Sequence, residues 1–596
     1  MKRLVLAAFA MSCVSQKGGA PAAKRPSAVP AHAEPAAPPA SPARIDAVRP
    51  APLGTAPPEP ILEVMTAELA RSMGELTRHS DPPYFAAYEV SDARRVNITA
   101  AFGTLRASSD ARSRMVDIEV RVGDHKLDNT HAPRDRSAGA GRNSTSASLP
   151  TEDDAYALCS ILWLRTDEAY KRAAEQLTKV QANAKVKVDA EDTSDDFSRE
   201  TPSQYFEPPA AIAIDRAAWE ARLRAASSAF RGHPEIVTGS VSLSASVETH
   251  YYTNTEGTRY QTPEVHLRIS IAATAKADDG MELHRFESMD AGAVERMPTD
   301  AQIRAKVDAV IRDLIALRRS PVAEPYIGPA ILEGRAAGVF FHEVFGHRIE
   351  GHRQKSENEG QTFAKKVGQP IMPDFMDVYD DPSIATINGV ELNGFFRFDN
   401  EGVAGQKANL VESGVLRTFL LGRSPTRGFT RSNGHGRRQE GMSVVPRQGN
   451  LVVAPSRTMP REALRAKLLE EAAKQGKPFG LILRELDGGF TITTRFEPQS
   501  FKLLPVMVVR LYPDGREELV RGADLEGTPL GALSSILAAG DDVATFNGYC
   551  GAESGYVPVS ASSPSLLVSR LELARKRKSQ DRPPILPPPP SSGGGT

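Results

Sequence analysis

Residues 336–347 read Ala-Ala-Gly-Val-Phe-Phe-His-Glu-Val-Phe-Gly-His, a mostly apolar run that ends in two histidines and a glutamate. The apolar residues predict a buried helix that carries His342 and Glu343. Neutral imidazole is a zinc donor, and a catalytic zinc site keeps one position open for water. A neighbouring carboxylate can take the proton of that water. The stretch therefore indicates a metal site in which His342 and His347 are donors and Glu343 is the base.

The spacing of the two histidines sets a structural condition on this site. Zinc-binding helices commonly carry histidines four residues apart on one face, whereas His342 and His347 are five apart. Five residues place two side chains about 140° apart on a regular helix, so the helix must contain a π-bulge or a break between them. Gly346 is a suitable place for that deformation. Spacing alone also allows a second interpretation. In it, His342 is a core histidine with its hydrogen bonds satisfied, and His347 is a polar residue at the end of the helix.

A zinc site also needs a third ligand, because two histidines are too few. Nearby candidates are Glu350, His352 and Glu357. The remote candidate is Cys550, whose flanking glycines predict a tight turn in which sulfur closely approaches another group. A thiolate would complete a set of two histidines and one cysteine. The residues alone leave the choice open, since Cys550 could also be a small residue in a turn.

Composition bounds the class of protein. A chain of 596 residues with 40% hydrophobic and 25% charged residues is of ordinary globular type, and its length predicts two or three domains. The 73 Lys and Arg residues balance 74 Asp and Glu residues, for a net charge of -1. That balance argues against direct nucleic-acid binding. No stretch is long and apolar enough to cross a bilayer as a helix.

The N-terminus predicts export. In residues 1–16, two basic residues precede an apolar run at 4–11, and Ser12-Cys13 follows. This is the order of a signal peptide, and Cys13 is placed as in a bacterial lipoprotein signal, where the cysteine becomes lipidated. Residues 17–60 are rich in Ala and Pro and predict an extended linker. We therefore expect a cell-envelope protein with a candidate lipid anchor at Cys13; the alternative is a cytoplasmic protein with a chance cysteine.

The remaining pattern predicts an α+β fold in two domains. Residues 61–320 combine amphipathic helices with alternating strands, whereas residues 321–573 are mostly short strands separated by Gly and Asp or Asn. The pattern does not show the regular βαβ alternation of a doubly wound sheet. Residues 574–596 are basic, then Pro-rich and Gly-rich, and predict a disordered tail.

Within the first domain the expected elements can be placed more closely. The expected helices cover 62–76, 151–185 and 301–317, and the expected strands cover 96–102, 115–122, 237–247, 251–260 and 265–275. Asn254-Thr255-Glu256-Gly257 is a turn signal. Cys159 lies inside the second helix, where a small core residue is its expected role.

The C-terminal half resembles the TldD/PmbA family of bacterial metallopeptidases, in particular its TldD-like, metal-bearing branch. The matching stretches follow in order over about 250 residues: Phe-His-Glu-Val-Phe-Gly-His-Arg-Ile-Glu-Gly at 341–351, Asp-Asn-Glu-Gly at 399–402, Glu-Ser-Gly-Val-Leu at 412–416, Asn-Gly-His-Gly-Arg-Arg at 433–438, and Cys-Gly-Ala-Glu-Ser-Gly-Tyr-Val-Pro-Val at 550–559. The resemblance is looser over 61–318, where it rests on the order of helices and strands.

The resemblance implies metal ligands at His342, His347 and Cys550 and a catalytic glutamate at Glu343. It implies a zinc-dependent peptidase acting on unfolded or extended peptides. It also implies a dimer enclosing a cavity, formed with a second copy or with a related subunit that lacks the metal motif. The alternative is a non-catalytic peptide-binding or regulatory subunit of such a complex. One departure from the family pattern is His352, which stands where an acidic residue is more usual.

Four further polar residues each have two interpretations. Arg437 and Arg438 could hold a peptide carboxylate, or they could form exposed ion pairs. His352 and His435 could orient the metal ligands, or they could face solvent.

Overall fold

The computed structural model describes residues 41–131, 144–184, 192–356, 358–576 and residue 586. The signal-like segment with Cys13, the first part of the predicted linker and nearly all of the predicted tail lie outside these residues. The described residues from Ser41 onward form one compact unit. Among the described residues, no helix has the length and apolar character needed to cross a bilayer.

The N-terminal half alternates helices with long strands. Its elements are β1 (Ala47–Val48), α1 (Pro60–Leu76), β2 (Pro83–Ala101), β3 (Thr104–Val122), β4 (Ser144–Ser148), α2 (Ala155–Ala184), β5 (Gln204–Phe206), α3 (Arg216–Ser227), β6 (Ile236–Asn254), β7 (Arg259–Lys276), β8 (Glu282–Ala291) and α4 (Asp300–Arg319). Seven of these strands form one sheet in the order β4-β3-β2-β6-β7-β5, with β8 also paired to β7. Helices α1 to α4 pack against this sheet.

Local sequence explains where these helices begin. Helix α1 has a proline in its first turn, where the missing N–H costs nothing. Its apolar residues recur at helical spacing and are buried. Helix α4 begins with a capping box, in which Thr299 and Gln302 satisfy each other's backbone N–H groups. The predictions of helices over 62–76 and 301–317 are confirmed, and the helix predicted over 151–185 is present but begins at Ala155.

The C-terminal half consists of shorter elements. They are β9 (Tyr326–Leu332), α5 (Gly334–Val344), α6 (Gly351–Lys355), β10 (Val378–Asp380), β11 (Thr386–Ile387), β12 (Val390–Glu391), β13 (Ala408–Glu412), β14 (Val415–Leu416), β15 (Gly436–Arg437), β16 (Val445–Pro446), β17 (Asn450–Val453), α7 (Arg461–Lys474), β18 (Gly480–Thr491), β19 (Phe501–Leu511), β20 (Glu517–Val520), β21 (Ala523–Gly527), α8 (Pro529–Ser534), β22 (Ile536–Ala539), β23 (Ala544–Ala552), β24 (Gly555–Ser563) and β25 (Leu566–Arg575).

Two sheets enclose helix α5. Strands β9, β18, β19, β21 and β25 pair in a closed ring, which makes a small barrel. A six-stranded sheet has the order β14-β13-β10-β17-β24-β23, so that β23 is its edge strand. Helix α5 contacts barrel strands β18 and β19 as well as the β23–β24 hairpin. Every residue of α5 except Arg335 is buried, which confirms the predicted buried helix, and the α+β class is confirmed for the described chain.

Two local expectations differ from the structure. Strand β6 continues to Asn254 and β7 starts at Arg259, so the predicted strand over 251–260 is wrong and the chain turns within it. The predicted turn is present, and the Asn254 side chain accepts hydrogen bonds from the backbone N–H groups of Glu256 and Thr258. Cys159 is partly exposed on α2 rather than a core residue.

The last part of the predicted linker docks on the body. Strand β1 pairs with β11, and the N–H of Ala43 donates to the carbonyl of Pro455 at 3.0 Å. Arg49 also pairs with the buried carboxylate of Asp381 at 2.5 Å. Residues 41–59 are therefore part of the folded unit and correct the linker expectation at that end. The division into domains at 320 and 321 stays a prediction.

The close packing of α5 on β24 predicts the effect of a single methyl group. A Cβ on Gly338 would lie 2.6 Å from the Ala561 carbonyl oxygen, so Gly338→Ala must push the helix from the strand. We expect it to lower the free energy of unfolding by about 1–3 kcal/mol, measured by urea denaturation.

The matched control is Gly74→Ala in α1, where nothing lies within 4 Å of the new Cβ. There the gain in helix propensity should stabilise the protein by about 0.5–1 kcal/mol. A Gly338→Ala protein as stable as the Gly74→Ala protein would contradict the packing of α5 described above.

Candidate metal centre

The helix that carries the first histidine breaks before the second. Helix α5 ends at Val344, Phe345 departs from ideal helix angles with φ −109° and ψ −54°, and a 3-10 turn follows over Gly346–Ile349. The break places the two histidines on the same side despite their five-residue spacing. A Cβ on Gly346 would collide with the amide of Gln448. Glycine is therefore required here by a close neighbour, rather than by the helix deformation that its sequence position predicts.

Three donor atoms meet at this break. The Nε2 atom of His342 lies 3.1 Å from the Sγ atom of Cys550, and the Nε2 atom of His347 lies 3.2 Å from it. The ligand atoms of these three residues all lie within 4.8 Å of one another, and all three residues are buried. We call these three atoms the donor cluster. It is the only such group of His, Cys, Asp and Glu side chains found among the described residues.

The geometry of the donor cluster fits zinc. Zinc–nitrogen bonds of about 2.0 Å and zinc–sulfur bonds of about 2.3 Å at tetrahedral angles separate donor atoms by about 3.5 Å. The two N···S distances, 3.1 Å and 3.2 Å, therefore need only a small outward adjustment. Two imidazoles and one thiolate also leave the fourth position open, as catalytic zinc sites do.

A buried carboxylate supports the second histidine. Glu350 is 0% exposed, and its Oε1 lies 3.3 Å from the Nδ1 atom of His347. Its charge is balanced by Arg353, whose Nε donates to Oε2 at 2.8 Å, and by Arg447, whose Nε lies 3.4 Å from Oε1. A carboxylate on the second ring nitrogen fixes the orientation of a metal-ligating histidine. Glu350 thus leaves Nε2 of His347 directed at the sulfur of Cys550.

A second set of contacts holds the cysteine. Arg447 is fully buried and donates to the Cys550 carbonyl oxygen at 2.7 Å and to the Ser554 hydroxyl at 2.8 Å. The neighbouring Gln448 donates to the carbonyl oxygen of His342 at 3.3 Å. Arg447 and Gln448 therefore connect strand β23, which carries Cys550, with helix α5, which carries His342. Neither Arg447 nor Gln448 is predicted from the sequence, because nothing in their local pattern distinguishes them.

Mutual charge stabilisation shifts the pKa values in the cluster. Burial would raise the pKa of the Cys550 thiol, but the charges of His347 and His342 hold that pKa well below its usual value. Burial would lower the pKa of His347, but Cys550 and Glu350 raise it well above the usual range. Burial would also raise the pKa of Glu350, but Arg353 and His347 lower it to about 2. These contacts favour the thiolate form of Cys550, the form that binds metals.

Glu343 lies next to the first donor on α5. Its side chain is buried, and its Cγ lies 3.1 Å from where a Cβ on Gly489 of β18 would stand. The guanidinium of Arg348 is near the same turn and donates to the Glu343 backbone carbonyl at 3.5 Å. The Glu343 side chain therefore packs against barrel strand β18, and in sequence it directly follows the first donor residue.

The structure separates the candidates for a third ligand. Cys550 belongs to the donor cluster, but it lies within strand β23 and not in the tight turn that its flanking glycines predict. Glu350 contacts the outer ring nitrogen of His347 and so supports a donor. His352 pairs with Glu553, and Glu357 lies outside the described residues.

The two histidines expected to orient ligands have other partners. His352 on α6 pairs with Glu553, and the Nε2 atom of His435 lies 3.2 Å from Asp380 Oδ1. Both are largely buried, so the solvent-facing alternative is wrong. His435 also contacts Asn433 through its Nδ1 atom, and the hydrogen bonds of neither ring reach the donor cluster.

The two neighbouring arginines are buried, in contrast to the expected exposed ion pairs. Arg437 donates to the carbonyl oxygens of Gln448 and Pro558 at 2.9 Å and 2.7 Å. Arg438 pairs with Glu89 at 2.5 Å. Both guanidinium groups thus join segments of the fold and are already engaged by the chain itself.

Known proteins resemble the part of the chain that forms this site. The family model of the PmbA/TldA metallopeptidase C-terminal domain matches residues 326–575. A metalloprotease of Methanocaldococcus jannaschii is 28% identical over 261 residues, which are 44% of this chain and 53% of the relative. A zinc metalloprotease TldD homologue of Saccharolobus solfataricus is 23% identical over 262 residues, 43% and 52% of the two chains. The matches thus span about half the length of these relatives.

The fold is shared over a longer stretch than the sequence. The crystal structure of TldE from Thermococcus kodakarensis superposes with a TM-score of 0.57 at 14% identity, covering 86% of this chain and 100% of that chain. Its likeness extends the shared architecture across the N-terminal sheet as well as the barrel. Residues 326–575 are thus similar to the C-terminal domain of PmbA/TldA metallopeptidases, and the longer likeness is one of fold.

Proposed function

We propose that the protein is a zinc-dependent peptidase that hydrolyses peptide bonds of unfolded or extended peptides. The observation that carries the proposal is the buried donor cluster of His342, His347 and Cys550. Glu343, the residue after His342, is buried as well. The relatives named as metalloproteases and as a zinc metalloprotease support the same activity.

In this proposal zinc would be held by the three donor atoms and would supply a Lewis acid that polarises the substrate carbonyl and lowers the pKa of water. Glu343 would accept a proton from the attacking water and then transfer it to the departing amine. Glu350 would keep the His347 ring oriented. Burial would limit the access of bulk water to these groups, which strengthens electrostatic interactions among them.

A non-catalytic peptide-binding subunit is the competing proposal. Such a subunit could bind an extended peptide at the edge strand β23 through main-chain hydrogen bonds. It would need neither a cysteine that meets two imidazoles nor a buried glutamate directly after the first of them in sequence. The cost of burying Glu343 therefore favours a role in chemistry.

We further propose that the protein works as a dimer, with a second copy or with a related subunit. The structural likeness to TldE supports a partner of this kind. The molar mass in solution, alone and after mixing with a related subunit of the same organism, tests the assembly. A monomer under both conditions would contradict it.

We expect replacement of the proposed base, Glu343, to reduce peptide cleavage without reducing zinc binding. Glu343→Gln keeps the size of the side chain but cannot accept a proton. We expect peptide cleavage to fall by about 10²–10⁴-fold while bound zinc per chain stays unchanged, because Glu343 is not a ligand. Peptide cleavage is measured on an unstructured fluorogenic peptide, and zinc by elemental analysis of the same samples.

A matched control is Glu470→Gln on α7, where the glutamate forms only a surface ion pair with Lys474. This variant should cleave at the wild-type rate. Equal cleavage by wild type and Glu343→Gln would contradict the proposed role of Glu343. No cleavage by the wild type, with zinc bound, would favour the binding subunit.

We also propose an envelope location for the protein. This proposal rests on the sequence of residues 1–16, which lie outside the described residues. The wild type should fractionate with membranes and Cys13→Ser should shift to the soluble fraction, because the variant cannot be lipidated. A wild-type protein in the soluble cytoplasm that retains Met1 would contradict the proposal.

A further inference from the structure

The cysteine of the donor cluster lies near the tip of a hairpin. Strand β23 pairs with β24 up to Ala552 and Gly555, so a two-residue turn of Glu553 and Ser554 joins them, three residues beyond Cys550. Strand β23 has β24 as its only strand partner within the described chain. The sheet therefore fixes this strand from one side, and contacts at the hairpin tip must contribute to the position of the sulfur.

The tip is attached to the segment that follows the second histidine. Both Glu553 oxygens are engaged by residues of α6: Oε1 pairs with the Nε2 atom of His352, and Oε2 accepts from Arg353 at 2.9 Å. Helix α6 begins at Gly351, four residues after His347. The turn of the cysteine hairpin is thus tied to the chain that carries a histidine of the donor cluster.

The attachment continues to the donor cluster itself. The same Arg353 guanidinium donates to Glu350 at 2.8 Å, and Glu350 lies 3.3 Å from the outer ring nitrogen of His347. The contacts therefore run from Glu553 through Arg353 and Glu350 to His347. Arg447 provides a parallel connection from Glu350 to the Cys550 carbonyl.

We propose that Glu553 is a positioning residue of the metal site, which holds the Cys550 hairpin at donor distance from the two histidines by pairing with His352 and Arg353. The separation of 203 residues between Cys550 and His347 means that no local geometry sets their distance. Metal sites need their donors placed to within about 0.5 Å, and charge-assisted pairs at a hairpin tip supply such a constraint. The proposal rests on the proposed zinc site but not on peptide hydrolysis.

The test compares two glutamates that pair with the same arginine. Arg353 binds Glu553 on the hairpin at 2.9 Å and Glu359, which is not on the hairpin, at 3.0 Å. Full-length Glu553→Gln and Glu359→Gln proteins are titrated with zinc against a chromophoric chelator. Removing an outer contact of a zinc site typically costs 10- to 100-fold in affinity, so we expect about that loss for Glu553→Gln and less than about twofold for Glu359→Gln.

Cobalt(II) substitution reports on the sulfur directly. In Glu553→Gln the thiolate-to-cobalt charge-transfer band should weaken or shift, because the sulfur is less firmly held, whereas Glu359→Gln should keep the wild-type spectrum. If Glu553→Gln does not fold, His352→Gln provides the same comparison, since it removes one of the two partners of Glu553 and keeps the pairing with Arg353. A loss of affinity in the same direction is expected.

The outcomes separate this proposal from the proposed function. Equal zinc affinities in wild type, Glu553→Gln and His352→Gln would overturn the positioning role while leaving the metal site in place. Equal losses in Glu553→Gln and Glu359→Gln would also overturn it, because the effect would then follow from Arg353 and not from the hairpin. A wild type that binds no zinc would instead contradict the proposed function.

Discussion

The distance between one sulfur atom and two imidazole rings is the constraint on which the rest of the C-terminal half depends. Cys550 is separated from His342 and His347 by 208 and 203 residues, and its Sγ atom still lies within 3.2 Å of both Nε2 atoms. Each element around α5 contributes to that distance. The barrel supports the helix from one side, and the β23–β24 hairpin delivers the cysteine from the other.

Close packing and buried charge share the task of holding these elements. Two glycines let backbone and side chains approach α5: Gly338 faces the Ala561 carbonyl, and Gly346 faces the Gln448 amide. A buried carboxylate with two guanidinium partners, Glu350, then links the histidine segment to the cysteine strand. Such a group is strongly destabilising when any one partner is lost. Its presence in the core is reasonable where exact donor placement is worth more than maximal stability.

Sequence patterns predicted the parts of this arrangement that depend on neighbouring residues. The apolar run before His342 predicted the buried helix, and the five-residue spacing correctly required a break after it. The prediction of a tight turn around Cys550 was wrong, because glycines that flank a residue in an edge strand give the same local pattern as glycines in a turn. The prediction of one strand over 251–260 was also wrong, because Tyr251 and Tyr260 continue an apolar pattern across the turn between them.

The contacts that complete the site could not be predicted in this way. Arg447 and Glu350 are nearly 100 residues apart, and a lone arginine in a short connection has no periodicity to reveal its partner. Residues 41–59 dock mainly through backbone hydrogen bonds, which any residue except proline can donate, so their composition did not indicate it. The role of Cys550 followed from the family resemblance and not from spacing.

Bound metal per chain, measured by elemental analysis on purified wild-type and Cys550→Ala proteins, tests the central claim most directly. A site of two histidines and one thiolate predicts about one zinc in the wild type and a sharp loss in the variant. Zinc that remains bound after the substitution, or a wild type that stays free of metal after incubation with zinc, would contradict the account.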